Sequence, residues 1–195
     1  MRQKVFSKGA QVTDGIVTVP NIISLLRLLS VPLMLWFLLE ENFVAAFWLF
    51  LLASISDGVD GFIAKRFNAR SIVGSYLDPV ADKALLLGVY ITLGVAGHLP
   101  VWLVALVVFR DVMIVGGAIL FRGLTGKLKV QPLLSGKLNT VAQILLAGMV
   151  LTDLALQIPV GPLIEGLVYF VTATILFSGG CYLVTWSWLA SGLEE

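Results

Sequence analysis

Residues 57–82 read DGVDGFIAKRFNARSIVGSYLDPVAD and place four aspartates within two apolar runs that a short basic connection joins. They are Asp57, Asp60, Asp78 and Asp82. An acidic side chain at the centre of a membrane-spanning helix costs roughly 2.5–3.5 kcal/mol unless it faces a water-filled cavity, a partner or a metal ion. We therefore interpret the four aspartates as one functional site on two neighbouring helices.

The whole chain is too apolar for an ordinary water-soluble domain. Of its 195 residues, 58% are hydrophobic and 13% are charged, and the mean hydropathy is +0.98. So few polar side chains cannot cover a surface that faces water. The apolar runs are continuous and about 20 residues long, which predicts helices rather than the alternating strands of a barrel. We expect an all-α integral membrane protein with six transmembrane helices, at 21–40, 43–66, 72–97, 100–121, 137–157 and 161–190.

The basic residues predict how these helices are oriented. Lys and Arg precede the first span, join the second to the third and join the fourth to the fifth, whereas the opposite connections carry neither. By the positive-inside rule, both termini then lie in the cytoplasm. We expect a cytoplasmic N-terminal arm over 1–20, without a cleavable signal peptide, and one six-helix membrane domain over 21–195. The protein is expected in the inner (cytoplasmic) membrane of the cell, with its site toward the cytoplasm.

Helical spacing gathers the aspartates onto two surfaces. On the second span, acidic and small residues recur at i, i+3, i+4 and i+7, and on the third span they recur every four residues, so each set shares one helix face. The connection between the two spans is short, which makes the helices antiparallel neighbours. The two faces are Asp57, Asp60, Gly61 and Ala64 on the second span, and Gly74, Asp78 and Asp82 on the third.

Carboxylates that face one another need a cation between them, because their repulsion grows in a low dielectric. Oxygen ligands with no His or Cys nearby favour hard ions such as Mg²⁺, Mn²⁺ or Ca²⁺ over zinc. Two such ions about 3.5–4 Å apart are the arrangement used for displacement at phosphorus. We expect two divalent ions, Mg²⁺ or Mn²⁺. The small Gly61 and Ala64 leave room for a ligand, although helix packing alone also explains them.

The run from Asp57 to Asp82 resembles the signature of the CDP-alcohol phosphotransferase family, Asp-x2-Asp-Gly-x2-Ala-Arg-x8-Gly-x3-Asp-x3-Asp. Every fixed position matches except that Lys65 replaces the Arg. Lysine keeps the charge but loses the planar fork that grips a phosphate with two hydrogen bonds, and Arg66 next to it is a candidate substitute. The opening Pro20-Asn-Ile-Ile-Ser-Leu-Leu-Arg27 is similar to the family's Pro-Asn-x-x-Thr/Ser-x-x-Arg, so the resemblance covers the whole chain.

The resemblance implies a six-helix membrane fold that transfers a phosphatidyl group from CDP-diacylglycerol to an alcohol and releases CMP. It implies metal ligation by the four aspartates, with Asp82 also taking the proton from the attacking hydroxyl. The residues that it places near CDP-diacylglycerol are Gly61, Ala64, Lys65, Arg66 and Gly74.

The acceptor alcohol is suggested by two further stretches. Residues 109–114 and 135–140, followed by Gln143, look more like eukaryotic-type cardiolipin synthases than phosphatidylglycerophosphate synthases, which usually carry Arg-Glu and Lys-Thr where this chain has Arg110-Asp111 and Asn139-Thr140. This favours phosphatidylglycerol as the acceptor and cardiolipin as the product, with glycerol 3-phosphate as the alternative acceptor. The candidate acceptor contacts are Arg70, Arg110, Lys137, Asn139 and Gln143, with Lys129 as a further phosphate contact.

Several of these polar residues also have structural interpretations. Arg110 and Asp111 lie midway along the fourth span, and because adjacent residues point in different directions each is expected to need its own partner. An interhelical ion pair explains them as well as a substrate does. Asn139 and Gln143 would also serve as polar contacts between helices. Arg27 is shallow enough to extend to the membrane interface, and Lys83 is expected to turn toward an acid.

Two other classes of function remain in view. A six-span cation transporter would use the same carboxylates, but the sequence shows neither the paired broken helices typical of such sites nor an inverted repeat of the motif over 100–190. A non-catalytic lipid-binding or scaffold protein has no need of four acids. The expected partners are the lipid substrates and the bilayer, the small-residue faces allow a homodimer, and no nucleic acid is expected.

Overall fold

The computed structural model of the chain describes residues 19–67, 72–125 and 134–191, with side chains described mainly over 25–56, 80–120 and 134–188. These residues form helices and turns, with no strand among them. The helices are α1 Val19–Leu39, α2 Phe43–Phe67, α3 Ile72–Val95, α4 Val101–Thr125, α5 Leu134–Leu156 and α6 Gly161–Ser191. The all-α prediction is confirmed, and each helix coincides with one predicted span to within four residues at either end.

Three of the helices are long and apolar enough to cross a bilayer, judged over the described residues. The qualifying stretches are Val101–Leu120, Leu134–Leu156 and Gly161–Trp188. α1 and α2 contribute shorter apolar stretches, Leu25–Leu39 and Phe43–Ser56. The structure therefore shows six helices, of which three are candidate spans over the described residues. The other spans, the orientation of the termini and the division at residue 20 stay predictions.

Large apolar side chains cover much of the outside of the bundle. Trp36 is 55% exposed, Trp48 54%, Phe177 68% and Trp188 78%. Such side chains scattered singly are ordinary on a soluble protein, but a continuous apolar exterior is not. This surface suits contact with lipid, whose tails are as apolar as the side chains themselves.

The packed interior lies where α1, α2, α3 and α5 meet, with α4 and α6 at its margin. α1 packs against both α2 and α3, α5 packs against α2, α3 and α6, and α4 packs against α3 and α6. Its fully buried side chains include Met34, Tyr90, Leu103 and Leu146, each 0% exposed. Because interiors of this kind are close-packed, the positions of polar side chains that emerge from them are well defined.

Short turns connect the helices on the side away from the aspartates. Glu41 adopts a left-handed conformation with φ of 58°. Asn42 then caps the start of α2, its Oδ1 accepting a hydrogen bond from the Ala45 amide at 3.3 Å. An Asn in this position satisfies an amide that the helix leaves unpaired. Between α3 and α4, Gly97 has φ of 80°, a conformation that glycine adopts at little cost. Both turns bring consecutive helices back as antiparallel neighbours.

We expect Gly117→Ala to destabilise the bundle, because a Cβ at this position would lie only 1.8 Å from the indole of Trp186. Overpacking of this kind costs about 1–3 kcal/mol. Gly116→Ala is the matched control, because a Cβ there meets nothing within 4 Å and alanine favours a helix. Thermal unfolding of the purified variants in one detergent measures the difference. Equal stability of the two variants would contradict the close approach of α4 to α6.

Candidate functional site

The aspartates of the motif lie on α2 and α3, as predicted. Asp57 and Asp60 belong to the second half of α2, and Asp78 and Asp82 to the first half of α3. The Asp82 side chain is described, and the assembly of the other three into a metal site stays a prediction. Several predicted site residues lie on described helices, but their side chains are outside the described part: Asp57, Asp60, Gly61, Ala64, Lys65, Arg66, Gly74 and Asp78. Arg70 and Lys129 lie wholly outside the described residues.

Asp82 is held by an arginine from the first helix. The Arg27 Nη1 donates to the Asp82 Oδ1 at 2.7 Å, and the side chains are 1% and 37% exposed respectively. The expectation that Arg27 extends to the interface was wrong, because its guanidinium turns inward to a carboxylate on α3. A hydrogen bond between two charged groups is short and strong, and it orients the carboxylate. The sequence offered one indication of this contact: Arg27 is a charged residue within an apolar span, and such a residue needs a partner.

A small cavity lies beside Asp82. Its volume is about 50 Å³, and its lining comes from α2, α3 and α5: Ala53, Ser54, Asp82, Leu85, Leu86, Thr140 and Ile144. One water needs roughly 10–15 Å³ measured in this way, so a few waters or a small ion fit. Ser54 lies one helical turn before Asp57 in α2, and its buried hydroxyl has no hydrogen-bond partner among the described atoms.

The donors at this cavity suit a hard divalent ion. Carboxylate and hydroxyl oxygens are the ligands that Mg²⁺ and Mn²⁺ prefer, and both are present in Asp82 and Ser54. The described side chains contain no cluster of three or more potential metal ligands, since the other three aspartates lie outside them. The residues present therefore fit a metal, with Asp82 as the described member of the set.

A second, larger cavity lies among α3, α4, α5 and α6. Its volume is about 220 Å³. Three cationic side chains, Lys83, Arg110 and Lys137, share its lining with Asp111. Three basic groups against one acid leave an excess of positive charge, which suits an anionic ligand. The structure thus brings together two of the predicted acceptor contacts, Arg110 and Lys137.

Hydrogen bonds and ion pairs fix two of these cations in place. The Lys83 Nζ lies 2.5 Å from the Asp111 Oδ2, so Lys83 turns toward an acid as expected. The Arg110 Nη1 donates to the Asp111 Oδ1 at 2.9 Å, and its Nη2 donates to the Ser178 Oγ at 2.7 Å. Arg110 and Asp111 were expected to need separate partners. Each has its own partner on another helix, Lys83 of α3 for Asp111 and Ser178 of α6 for Arg110. The expectation missed that the long Arg110 side chain also curls back to Asp111.

Asn139 and Gln143 lie in the interior, 0% and 1% exposed. The Asn139 Oδ1 accepts a hydrogen bond from the Thr174 hydroxyl at 3.0 Å, and the Gln143 backbone oxygen accepts one from Tyr90 at 3.1 Å. These bonds connect α5 to α6 and to α3. Neither residue is in the described lining of the two cavities. For Asn139 this favours the interpretation as a polar contact between helices, whereas Gln143 makes its bond through the backbone and its side-chain nitrogen has no partner among the described atoms.

Thr140 joins the two cavities. It lies on α5 and belongs to the lining of both, and its hydroxyl donates to the Gly136 backbone oxygen at 3.1 Å. The Asp82 carboxylate and the cationic cavity are thus on either side of one side chain. Sequence reasoning did not single out Thr140, because a threonine one turn after Gly136 is an ordinary helix residue.

The sequence from residue 17 to residue 186 matches the profile of the family described as CDP-alcohol phosphatidyltransferase. The chain belongs to this family. It is 32% identical over 187 residues to a fission yeast (Schizosaccharomyces pombe) cardiolipin synthase (CMP-forming) / mitochondrial hydrolase fusion protein, covering 88% of this chain and 31% of the relative. It is 36% identical to a chloroplastic CDP-diacylglycerol--glycerol-3-phosphate 3-phosphatidyltransferase of rice (Oryza sativa), covering 71% and 47%.

The chain is also 34% identical to the rat (Rattus norvegicus) cardiolipin synthase (CMP-forming), covering 66% of this chain and 48% of the relative. The chain therefore spans between 31% and 48% of the length of these three proteins. The matches include both of the acceptor types that the sequence resemblance suggested, and the family assignment made from the motif is confirmed.

We expect Arg27 and Asp82 to be energetically coupled. In a double-mutant cycle, Arg27→Ala and Asp82→Ala should show an interaction energy of roughly 0.5–3 kcal/mol, the range for residues in direct contact. Chemical unfolding in detergent gives the four stabilities. Arg27→Ala combined with Asp153→Ala is the control, because Asp153 lies near the far end of α5 and distant substitutions add. Additive effects in both cycles would argue against the Arg27–Asp82 pair.

Proposed function

We propose that the chain is a metal-dependent phosphatidyltransferase that moves a phosphatidyl group from CDP-diacylglycerol to a glycerol-type hydroxyl of phosphatidylglycerol, giving cardiolipin and CMP. The observation that carries this proposal is the position of Asp82. The Asp82 carboxylate forms an ion pair with the buried Arg27. It lines the smaller cavity, which shares Thr140 with the larger, cationic cavity. Membership of the family and the names of the yeast and rat relatives support the same reaction.

In this reaction Asp82 acts as the general base. Its carboxylate takes the proton from the acceptor hydroxyl as the oxygen attacks the phosphorus that bears the diacylglycerol, and the bond from that phosphorus to the CMP oxygen breaks. Arg27 holds one of the Asp82 carboxylate oxygens, so that proton transfer begins from a defined geometry. The proton is then held by the Asp82 carboxyl group, and CMP departs with the electron pair of the broken bond.

The metal ions belong to this proposal. Asp57, Asp60, Asp78 and Asp82 would hold two divalent ions, Mg²⁺ or Mn²⁺, which when bound neutralise the pyrophosphate oxygens and the leaving group. The face next to them would take CDP-diacylglycerol through Gly61, Ala64, Lys65, Arg66 and Gly74. Small residues let the nucleotide approach the backbone, and the basic pair at 65–66 supplies charge for the phosphates.

The acceptor phosphate is assigned to the larger cavity. Arg110 lines it while tied to Asp111 and Ser178, and Lys137 lines it from α5. A phosphate held there and a hydroxyl presented past Thr140 would bring the nucleophile to Asp82. Glycerol 3-phosphate also carries a phosphate, and the rice relative is named for transfer to that acceptor, so phosphatidylglycerophosphate synthesis is the second candidate.

We also propose that all six helices span the inner membrane, with both termini and the site toward the cytoplasm. The apolar exterior, the three candidate spans and the distribution of Lys and Arg support this arrangement. Residues 1–20 would form a cytoplasmic arm and residues 21–195 the membrane domain. A homodimer stays a prediction from the small-residue faces. The cation-transporter alternative explains the aspartates but not the cationic cavity beside them.

Direct assay separates these possibilities. The purified protein in detergent is incubated with CDP-diacylglycerol and Mg²⁺ or Mn²⁺, with phosphatidylglycerol or glycerol 3-phosphate in separate reactions, and lipid products are identified by mass spectrometry. We expect CMP and cardiolipin, loss of both on chelation, and no turnover by Asp82→Asn. Phosphatidylglycerophosphate instead would establish the second acceptor, and release of CMP without a new phospholipid would indicate hydrolysis. No CMP with any alcohol would overturn the enzyme.

Lys137→Gln is expected to weaken the acceptor without weakening CDP-diacylglycerol. Loss of a hydrogen bond from a charged group costs about 1.5–3 kcal/mol, and the exposure of Lys137 places the effect at the lower end, a roughly tenfold rise in acceptor KM. Lys137→Arg keeps the charge and is the matched control. Initial rates over a range of each substrate measure both constants. An equal rise in both KM values would remove Lys137 from the acceptor site.

A further inference from the structure

The larger cavity opens into a cleft between α4 and α5. Over the described residues, no Cα of α4 lies within 8 Å of a Cα of α5, although both helices pack against α3 and α6. The cavity is lined from both walls, by Arg110 and Val115 on α4 and by Lys137 on α5, with Tyr182 of α6 behind them. The backbones of the two helices are thus apart, and α4 approaches α5 through the Arg110 guanidinium, which would lie 3.2 Å from a Cβ at Gly136; beside this contact an opening is left along the side of the bundle.

The cleft is charged at its depth, and its edge carries the exposed Lys137 beside apolar side chains. Arg110 and Asp111, which carry the ion-pair network, are each only 5% exposed. One turn further along α4, Ile114 lines the cavity, and Val115 lines it while remaining 53% exposed on the bundle's surface. The exterior of α5 beside the cleft is also apolar, with Leu138 and Val141 each 56% exposed. A charged interior that opens onto an apolar surface has the polarity of a phospholipid.

The size of the cavity points the same way. A pocket that encloses a whole drug-sized ligand measures roughly 300–1,000 Å³, and this one measures about 220 Å³. It therefore holds a headgroup and not the chains of a lipid. Chains attached to a headgroup in this position would leave the protein past Val115 and lie in the bilayer, where apolar surface costs nothing to expose.

We propose that the cleft between α4 and α5 admits the acceptor sideways from the bilayer, and that Val115 sets the preference for a diacyl acceptor over a water-soluble one. The phosphodiester lies at Arg110 and Lys137, and the acyl chains run out across Val115. This inference rests on the proposed phosphatidyltransferase function and adds the route and the selectivity determinant. A side chain no larger than valine leaves room for these chains, whereas a bulkier side chain would obstruct a diacyl acceptor and leave a chain-free headgroup unobstructed.

The test compares Val115→Trp with Val101→Trp in the full chain, in phosphatidylcholine nanodiscs. Val101 is an equally apolar position on the same helix, 70% exposed and about 21 Å away at 1.5 Å per residue. The acceptors are phosphatidylglycerol and its deacylated headgroup, glycerophosphoglycerol. We expect Val115→Trp to lower the ratio of kcat/KM for phosphatidylglycerol to that for glycerophosphoglycerol by roughly tenfold or more, with Val101→Trp retaining the ratio.

Val115→Asn is a second variant for the case that the tryptophan at position 115 prevents folding. It places a small polar group in the path of the acyl chains at an exposed position. It should lower the same ratio. An unaltered ratio in both Val115 variants, with cardiolipin still formed by the unmodified protein, would overturn the sideways route alone. A rise in the KM of CDP-diacylglycerol instead would give the cleft to the donor and also overturn it. Failure of the unmodified protein to transfer to either glycerol acceptor would overturn the proposed function itself.

Discussion

Charged side chains inside an apolar helix bundle must find their partners within it, and among the described residues two ionic networks meet this constraint. Arg27 and Asp82 join α1 to α3, and Lys83, Asp111, Arg110 and Ser178 join α3 to α4 and α6. Removing one member of a buried pair leaves an uncompensated charge, which costs more than the pair itself contributes. The networks therefore favour the particular helix arrangement that keeps all their members paired.

Adjacent residues of α3 belong to different networks. Asp82 turns toward α1 and Lys83 toward α4, and the two cavities follow the same division, with one beside the carboxylate and the other among the cations. Opposite charges on neighbouring residues would attract each other if each lacked its own partner. Because Arg27 and Asp111 hold them apart, an acidic centre for proton transfer and a basic site for a phosphate can exist one residue apart in sequence.

This separation suits a transfer between two anionic lipids. In the proposed reaction the donor and the acceptor both carry phosphates, so each would need positive charge, while the base that takes the proton would have to remain negative. Thr140 lies at the border of the two cavities, where its hydroxyl is committed to the Gly136 backbone oxygen as a donor. In our proposal the reacting hydroxyl crosses this border while the phosphate stays with Arg110 and Lys137.

The sequence by itself determined the helices and the location of the motif. Continuous apolar runs have one economical structure in lipid, which is why all six helices were placed to within four residues at either end, and helical spacing put the aspartates on α2 and α3.

The sequence could not determine the partners of individual charges. Arg27 was expected at the interface, and the direct pair of Arg110 with Asp111 was not expected, because the reach of a long side chain depends on which helix packs beside it. Thr140 and the cleft at Val115 arise only where α3, α4, α5 and α6 come together. Periodicity assigns residues to a helix face, whereas the neighbour of that face is decided by tertiary packing.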